Sequence, residues 1–259
     1  MLLTSGSTGA PKLVTQTHRA VLAATAGMQQ ENGLTAQEVS LNWFPLDHVV
    51  GLLMCNIRDT WLGCEQIHVP TTLVLTDPLR WIDLLSQFRV STTWAPNFAY
   101  SLVAARAADA TGRTWDLTAL RVIPNGGEMV VAEQVLQFLR FLKPYGLADD
   151  AVRPMWGMSE TCSGVTYSRT LSAAQPNRDL GPVDVGRPLP GLSLRIVDDH
   201  GDLLFEGQEG NLEVAGTMVT RATTTMQRQR RILHPGRLVP HRRPRLPQGG
   251  GAHAGRADQ

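Results

Sequence analysis

The sequence predicts an α/β fold: a layered, mostly parallel sheet covered by helices, continued by a smaller β-rich subdomain. Three observations carry this expectation. Strand-like and helix-like segments alternate from the N-terminus to about residue 180, the pattern of a parallel sheet wrapped by its crossover helices. After Gly181 the rhythm changes to short strand candidates separated by tight turns. The chain has 259 residues, 42% hydrophobic and 18% charged, which is enough to bury one substantial core or two smaller ones.

Taken in order, "LLT" at residues 2–4 ends a strand, and Thr17 caps a helix through Ala20, Val21, Ala24 and Met28, with Gly33 near its end. "LNWF" at 41–44 is a strand candidate, followed by a helical segment from about Val49 to Leu62. "EQIHV" at 65–69 reads as a strand. Asp77 and Pro78 are suited to cap and first-turn positions of a helix carrying Leu79, Ile82, Leu84, Leu85 and Phe88. "VSTTW" at 90–94, a helix after Pro96, the "RVI" strand at 121–123 and a helix from Val130 to Leu142 continue the alternation. Beyond Gly181, "LSLRIVDDHGDLLF" reads as two strands joined at Asp199, His200 and Gly201, and "NLEVAG" as another strand.

The formal net charge of +1 hides a division. Residues 221–259 hold nine arginines against a single acid, Asp258, whereas the rest of the chain is acidic on balance. The segment "RATTTMQRQRRILHPGRLVPHRRPRLPQGG" mixes arginine, proline and threonine with neither helical nor strand periodicity. Charge alone would let it attract nucleic acid, and an exposed tail is the plainer alternative. No apolar stretch approaches the roughly 18 residues of a membrane span, and no basic leader with an apolar core marks secretion. Cys55, Cys64 and Cys162 form neither a metal-binding spacing nor a disulfide framework, so a reducing, cytoplasmic setting is expected.

The opening stretch "LLTSGSTGAPKLV" concentrates what a triphosphate requires. Gly6 and Gly9 let backbone amides point at phosphate oxygens; Thr4, Ser5, Ser7 and Thr8 supply hydroxyls, and Lys12 a mobile positive charge. A flexible Ser/Gly turn is the alternative. The spacing matches neither the Gly-x4-Gly-Lys-Ser/Thr loop of nucleoside triphosphatases nor the three-glycine dinucleotide fingerprint.

"TSGSTGAPK" at 4–12 closely resembles the signature phosphate loop of the adenylate-forming, or AMP-binding, superfamily: acyl-CoA synthetases, fatty acyl-AMP ligases and the adenylation domains of nonribosomal peptide synthetases. Further segments of that family follow in order. "WFPLDHVVGL" at 43–52 is similar to its second conserved segment, "NGGE" at 125–128 to its nucleotide-pocket turn, and "WGMSET" at 156–161 to its aromatic-Gly-x-Thr/Ser-Glu segment; "VGRPLPG" at 185–191 and "EGNLEVAG" at 209–216 come next. The resemblance covers nearly all of residues 1–220 and implies a fragment of the family's large N-terminal domain: residues 1–180 as a partial AMP-binding α/β region and 181–220 as a β-rich segment.

The resemblance also implies a reaction and its residues. A carboxylic acid and ATP give an acyl-adenylate and pyrophosphate, and the thiol of CoA or of a carrier protein's phosphopantetheine then takes the acyl group. Thr4, Ser5, Gly6, Ser7, Thr8, Gly9 and Lys12 are the expected phosphate contacts. Gly126, Gly127, Glu128, Trp156, Gly157 and Met158 are expected around the adenine, and Glu160 on Mg2+, a hard cation that takes oxygen ligands. Thr161 would help place the α-phosphate or the substrate carboxylate. His48 stands where acyl-activating relatives use a histidine near the carboxylate; a helix-start histidine bonded to backbone is its alternative. Trp94, Ala95, Pro96, Asn97 and Phe98 are expected near the acyl pocket, although Pro96 and Phe98 equally suit packing at a helix start. Cys162 reads as packing rather than as a nucleophile. The acid can be an acyl or amino acid, with a lean toward loading onto a carrier protein.

Two family segments are not found: the Tyr/Phe-Arg-Thr-Gly-Asp run whose aspartate grips ribose, and the small C-terminal domain with its lysine. The part of the large domain that precedes the phosphate loop is likewise expected to be absent. A one-base shift of a GC-rich coding sequence for 221–246 gives approximately "RGYYNNAEANAESFTPDGWFRTGDLG", which restores the aspartate segment. Residues 221–254 are therefore expected to be a frame-shifted tail, which leaves no nucleic-acid role for its arginines, and "GRADQ" at 255–259 to be the onset of the family's hinge. The fragment as written is expected to be inactive, with a noncatalytic nucleotide- or partner-binding remnant as the competing class.

Overall fold

The computed structural model describes residues 2–4, 12–174, 182–220, 222–225 and 230–232. Strands Leu2–Thr4 (β1) and Lys12–Val14 (β2) pair antiparallel, and helix His18–Asn32 (α1) follows. The Thr17 hydroxyl accepts from the amide of Ala20 at the start of α1, and Gly33 ends it in the left-handed conformation, as the sequence predicts.

Val39–Asn42 (β3), Glu65–His68 (β4) and Thr92–Thr93 (β5) make a parallel sheet in the order β4-β3-β5. A parallel bridge from Thr92 to Val122 continues it toward Ile123–Asn125 (β6), which pairs parallel with Val152–Met158 (β7). Ser163–Tyr167 (β8) and Arg187–Pro188 (β9) extend β7 antiparallel. Leu192–Val197 (β10) and Asn211–Gly216 (β11) form a separate antiparallel pair. The parallel inner strands with helices between them, and the antiparallel strands that follow, are the α/β class expected. In the arginine-rich segment the backbone of Ala222–Thr225 (β12) pairs with β2 and with Arg230–Ile232 (β13); its remaining residues lie outside those described.

Several elements depart from the sequence reading. The strand expected at 41–44 ends at Asn42, because the Asn42 side chain turns the chain by accepting from the amide of Phe44 and donating to its carbonyl. The helix expected over 49–62 is a π-helix, Val50–Ile57, running into a short α-helix, Arg58–Leu62 (α2). Helix Thr71–Thr76 (α3) precedes Pro78–Gln87 (α4); Asp77 stands at the start of α4 without a side-chain cap. Asn97–Ala105 (α5) and Ala132–Leu142 (α6) complete the helices. The strand expected after Gly201 shrinks to a bridge between Val197 and Leu203, and β10 takes its partner from residues 211–216. Among the described residues no helix is long and apolar enough to cross a membrane.

Two hydrophobic clusters flank the inner strands. One gathers α4, α5 and α6 around Trp43, Trp81, Tyr100 and Phe138, with the Trp81 and Phe138 rings stacked at 6.0 Å. The other packs α1 and the π-helix against β8 and residues 189–218. Two charge networks, one partly and one fully buried, tie sheet to helices. The Glu38 carboxylate accepts from Ser91 Oγ (2.6 Å), the Thr35 amide (3.1 Å) and Arg121, whose guanidinium also donates to the carbonyls of Asn32 and Gly33 at the end of α1. Desolvation pushes the Glu38 pKa up, but these donors outweigh it and hold the group below its ordinary value. On α2, Arg58 Nε donates to Asp59 at 2.6 Å and its guanidinium reaches Ser40 on β3, with both members of the pair buried.

Removing one member of such a pair strands the other charge in a dry interior. Asp59→Asn is expected to lower the unfolding free energy in urea by about 3 to 5 kcal/mol. Replacing both partners with Arg58→Met and Asp59→Leu should recover most of that loss.

Candidate active site

The seven residues 5–11 lie outside the described residues, and with them Ser5, Gly6, Ser7, Thr8 and Gly9 of the expected phosphate loop. Their frame is described. Thr4 and Lys12 stand opposite each other at the ends of the antiparallel strands β1 and β2.

The exit of β2 is bonded to a turn far along the chain. Gln16 Nε2 donates to the carbonyl of Ser159 at 2.5 Å, Thr220 Oγ1 donates to the carbonyl of Thr15 at 2.6 Å, and the Thr220 amide donates to the carbonyl of Glu160 at 2.7 Å. Residues 15–16, 159–160 and 220 therefore meet at one place. Glu160 sits half-buried on this turn, a single 3-10 turn of Ser159–Thr161 between β7 and β8.

The turn is built at some conformational cost. Cys162 and Ser163 both adopt positive φ, 58° and 85°, a region that side chains with a Cβ rarely occupy. Thr161 offsets this locally: its hydroxyl accepts from the Met158 amide at 3.2 Å and lies 2.9 Å from the Met158 carbonyl and 3.2 Å from that of Ser163. It is 1% exposed, so its hydroxyl is engaged in the turn rather than presented to a ligand. Gly157 is required by close approach, since a Cβ there would lie 1.6 Å from the Ser163 carbonyl oxygen. Cys162 is buried and desolvation pushes its thiol up to about 12, which suits packing and not a nucleophile.

The residues expected around the adenine come together across β6 and β7. Trp156, Gly157 and Met158 end β7, and Gly126 abuts that strand closely enough that a Cβ would meet the Met155 carbonyl oxygen at 2.5 Å. Gly127 and Glu128 follow on an exposed turn. Glu128 has a further partner that the sequence gives no sign of: its Oε1 accepts from the amide of Asn97 at the head of α5, at 3.0 Å.

The segment 94–98 borders the same turn. The Ala95 carbonyl accepts from Asn125 Nδ2 at 2.9 Å, Trp94 is buried, Pro96 precedes the first residue of α5, and Phe98 is 47% exposed with its ring edge-on to Trp43. Phe44 connects this wall to His48, with ring centroids 6.4 Å from Trp94 and 5.9 Å from His48.

His48 closes the turn that enters the π-helix, a helix type often found at functional sites. Its Nδ1 accepts from the Val50 amide at 3.2 Å, which puts the proton of the neutral ring on Nε2. The backbone-bonded alternative is thus realised at Nδ1. Although the residue is exposed overall, partial desolvation of the ring lowers its pKa, against the opposing pull of the Asp47 carboxylate. The π-helix is joined to the Glu160 turn by Ser163 Oγ, 2.8 Å from Met54 Sδ. Gly51 makes the His48 turn possible, because a Cβ there would lie 2.2 Å from the Pro45 carbonyl oxygen. The side-chain bonds made by Gln16, Ser163 and Thr220 left no signal in the sequence, since each joins residues more than a hundred positions apart.

The comparisons with known proteins agree with this architecture. The family model "AMP-binding enzyme" matches residues 1–222, so the chain belongs to the AMP-binding enzyme family. Aspulvinone E synthetase melA of Aspergillus terreus is 34% identical over 225 residues, covering 85% of this chain and 24% of its own length. Among solved structures, McyG A-PCP complexed with phenylalanyl-adenylate superposes with a TM-score of 0.82 at 41% identity, over 86% of this chain and 35% of the other. The adenylation domain of a keto acid-selecting NRPS module bound to keto acyl adenylate gives 0.80 at 34% identity, over 86% and 44%. The chain thus spans about a quarter of the length of the curated relatives it matches.

Because the folded pKa of His48 lies below the ordinary 6.5, protonation favours the unfolded chain. Its contribution to stability is complete above that ordinary value and is lost as pH falls through the folded pKa. An NMR titration of His48 is expected to give a midpoint below 6.5. In Gly51→Ala the added Cβ displaces the turn, and the midpoint should move back toward the ordinary value; an unmoved midpoint would show that Gly51 does not hold the ring.

Proposed function

We propose that the chain is the nucleotide- and acid-facing part of an AMP-forming ligase. The carboxylate oxygen of an acyl or amino acid forms a bond to the α-phosphorus of ATP while the bond to pyrophosphate breaks, giving the acyl-adenylate. The acyl group then passes to a thiol of a carrier protein's phosphopantetheine or of CoA, with AMP as the leaving group. The observation that carries this reading is the junction of residues 15–16, 159–160 and 220, which ties the exit of β2 to the turn bearing Glu160.

In this reading the loop Thr4 to Gly9 and Lys12 hold the phosphates, and Gly126, Gly127, Trp156, Gly157 and Met158 border the adenine. Glu160 is the Mg2+ ligand. The described residues hold no cluster of three or more His, Cys, Asp or Glu that would cage a metal, and Mg2+ is commonly held by one or two carboxylates together with substrate phosphates and water. When bound, the ion would neutralise charge on the phosphates. His48, with its Nε2 proton, donates to the acid's carboxylate, while Trp94, Ala95, Pro96, Asn97 and Phe98 belong to the acid's pocket. Thr161 acts through the shape of the turn. The phenylalanyl and keto acyl adenylates held by the two structural relatives support a substituted acid, and their multidomain settings support a carrier-protein acceptor. The three free cysteines are in keeping with the cytoplasm.

The same reading treats 221–254 as a frame-shifted tail and 255–259 as a hinge onset, in line with a family match that ends at residue 222. A noncatalytic nucleotide-binding remnant is the reading favoured if the written frame is genuine. Resequencing of the gene across this segment separates the two.

ATP–pyrophosphate exchange against a panel of aromatic amino acids, 2-oxo acids, aryl acids and fatty acids is the functional test. The chain as written is expected to bind ATP without exchange, and the frame-restored chain to exchange with at least one acid. Glu160→Gln should lower that exchange by about 100-fold. Failure of the frame-restored chain to bind ATP would overturn the proposal.

A further inference from the structure

We propose that Asn97 is a positioning residue that fixes the nucleotide-pocket turn against the acid-pocket segment, so that nucleotide affinity depends on a side chain on the acid's side of the site. This rests on the nucleotide reading above and adds to it a mechanical link between the two subsites.

Beside the bonds that Ala95 makes to Asn125 Nδ2 and to the Pro124 carbonyl, three hydrogen bonds join the segments through Asn97. Its amide donates to Glu128 Oε1 at 3.0 Å, its Nδ2 donates to the Met129 carbonyl at 2.8 Å, and its Oδ1 accepts from the Val131 amide at 3.1 Å. Asn97 is 5% exposed, and both ends of its carboxamide are engaged. The arrangement answers a need at both helices. Helix α5 begins after Pro96, which has no side chain able to cap it, so the first amide of the helix requires an outside acceptor. The Glu128 carboxylate supplies one, with its negative charge at the positive end of the helix. Val131 stands at the N-cap of α6 and offers no capping side chain either, and Asn97 takes up its amide. Each helix start is thus held by the segment that leads into the other. A displacement of residues 94–98 therefore carries residues 128–131 with it, and Gly126 and Gly127 stand directly before that clamp.

The chemistry also restricts the residue type. Asp at 97 keeps an acceptor for the Val131 amide but loses the donor to Met129 and sets a second carboxylate beside Glu128. Ala loses both side-chain bonds. Neither change alters a group that the proposal places on the nucleotide.

The test is AMP binding by calorimetry, with hydrogen exchange of residues 126–131 followed in parallel on the full chain. Asn97→Ala is expected to raise the AMP dissociation constant by about tenfold and to speed exchange at Val131. Asn97→Asp, which retains the Val131 bond, should weaken AMP to a similar degree and covers the case in which the Ala variant does not fold. Asp83→Asn serves as control: Asp83 pairs with Arg113 and Trp115 away from this turn, so its loss lowers stability and should leave AMP affinity unchanged. Unchanged AMP affinity in the folded Asn97 variants, or an equal loss in the Asp83 control, would overturn the link while leaving the nucleotide site standing. No AMP binding by the unaltered chain would overturn the nucleotide reading, and this inference with it.

Discussion

The close approach of β7 and β8 at Gly157 is the constraint on which the site depends. With no Cβ at that position, the Ser163 carbonyl moves up against the β7 backbone, and the five residues between turn back around a single 3-10 turn. Such a tight return forces Cys162 and Ser163 into positive φ. Strain of this kind persists only where the surroundings over-determine it. Here the Thr161 hydroxyl bonds within the turn, Cys162 is buried in the second core, and Ser163 lies against Met54 of the π-helix.

From that turn, contacts spread to each part of the site. Ser159 and Glu160 present carbonyls to Gln16 and Thr220, which fixes the exit of β2. Met54 carries the contact into the π-helix, whose entry turn seats His48. The buried Arg58–Asp59 pair then holds the far end of the same helical run to Ser40 on β3. A buried ion pair is a poor source of net stability, because desolvation offsets much of its attraction. Here the two neighbouring charges satisfy each other within the helical run, and the Arg58 guanidinium ties that run to Ser40 on β3.

The two cores divide the labour. The cluster around Trp81, Tyr100 and Phe138 is built from regular helices with strong apolar faces and gives the inner sheet a rigid backing. The second cluster, under α1, the π-helix and β8, contains the irregular elements and borders the site. The irregular segments are thus placed against regular structure on one side, which lets them keep a defined shape.

Much was decided by sequence alone. The α1 cap at Thr17 and its end at Gly33, the helix from Pro78, the helices after Pro96 and before Leu142, and the ordered run of motifs from Thr4 to Gly216 all follow from local chemistry, in which each signal lies within a few residues of its effect. The α/β class and the family were legible for the same reason. What only the tertiary structure decided is the set of partners: that Val50–Ile57 winds as a π-helix, that β10 passes over the nearby 202–205 for 211–216, that Glu128 caps α5, and that Gln16 and Thr220 meet the Glu160 turn. Local propensity fixes the conformation a short segment prefers. It carries no information about which distant donor will satisfy a particular carbonyl, because that choice is made when the apolar faces pack and every buried polar group must find a partner at once.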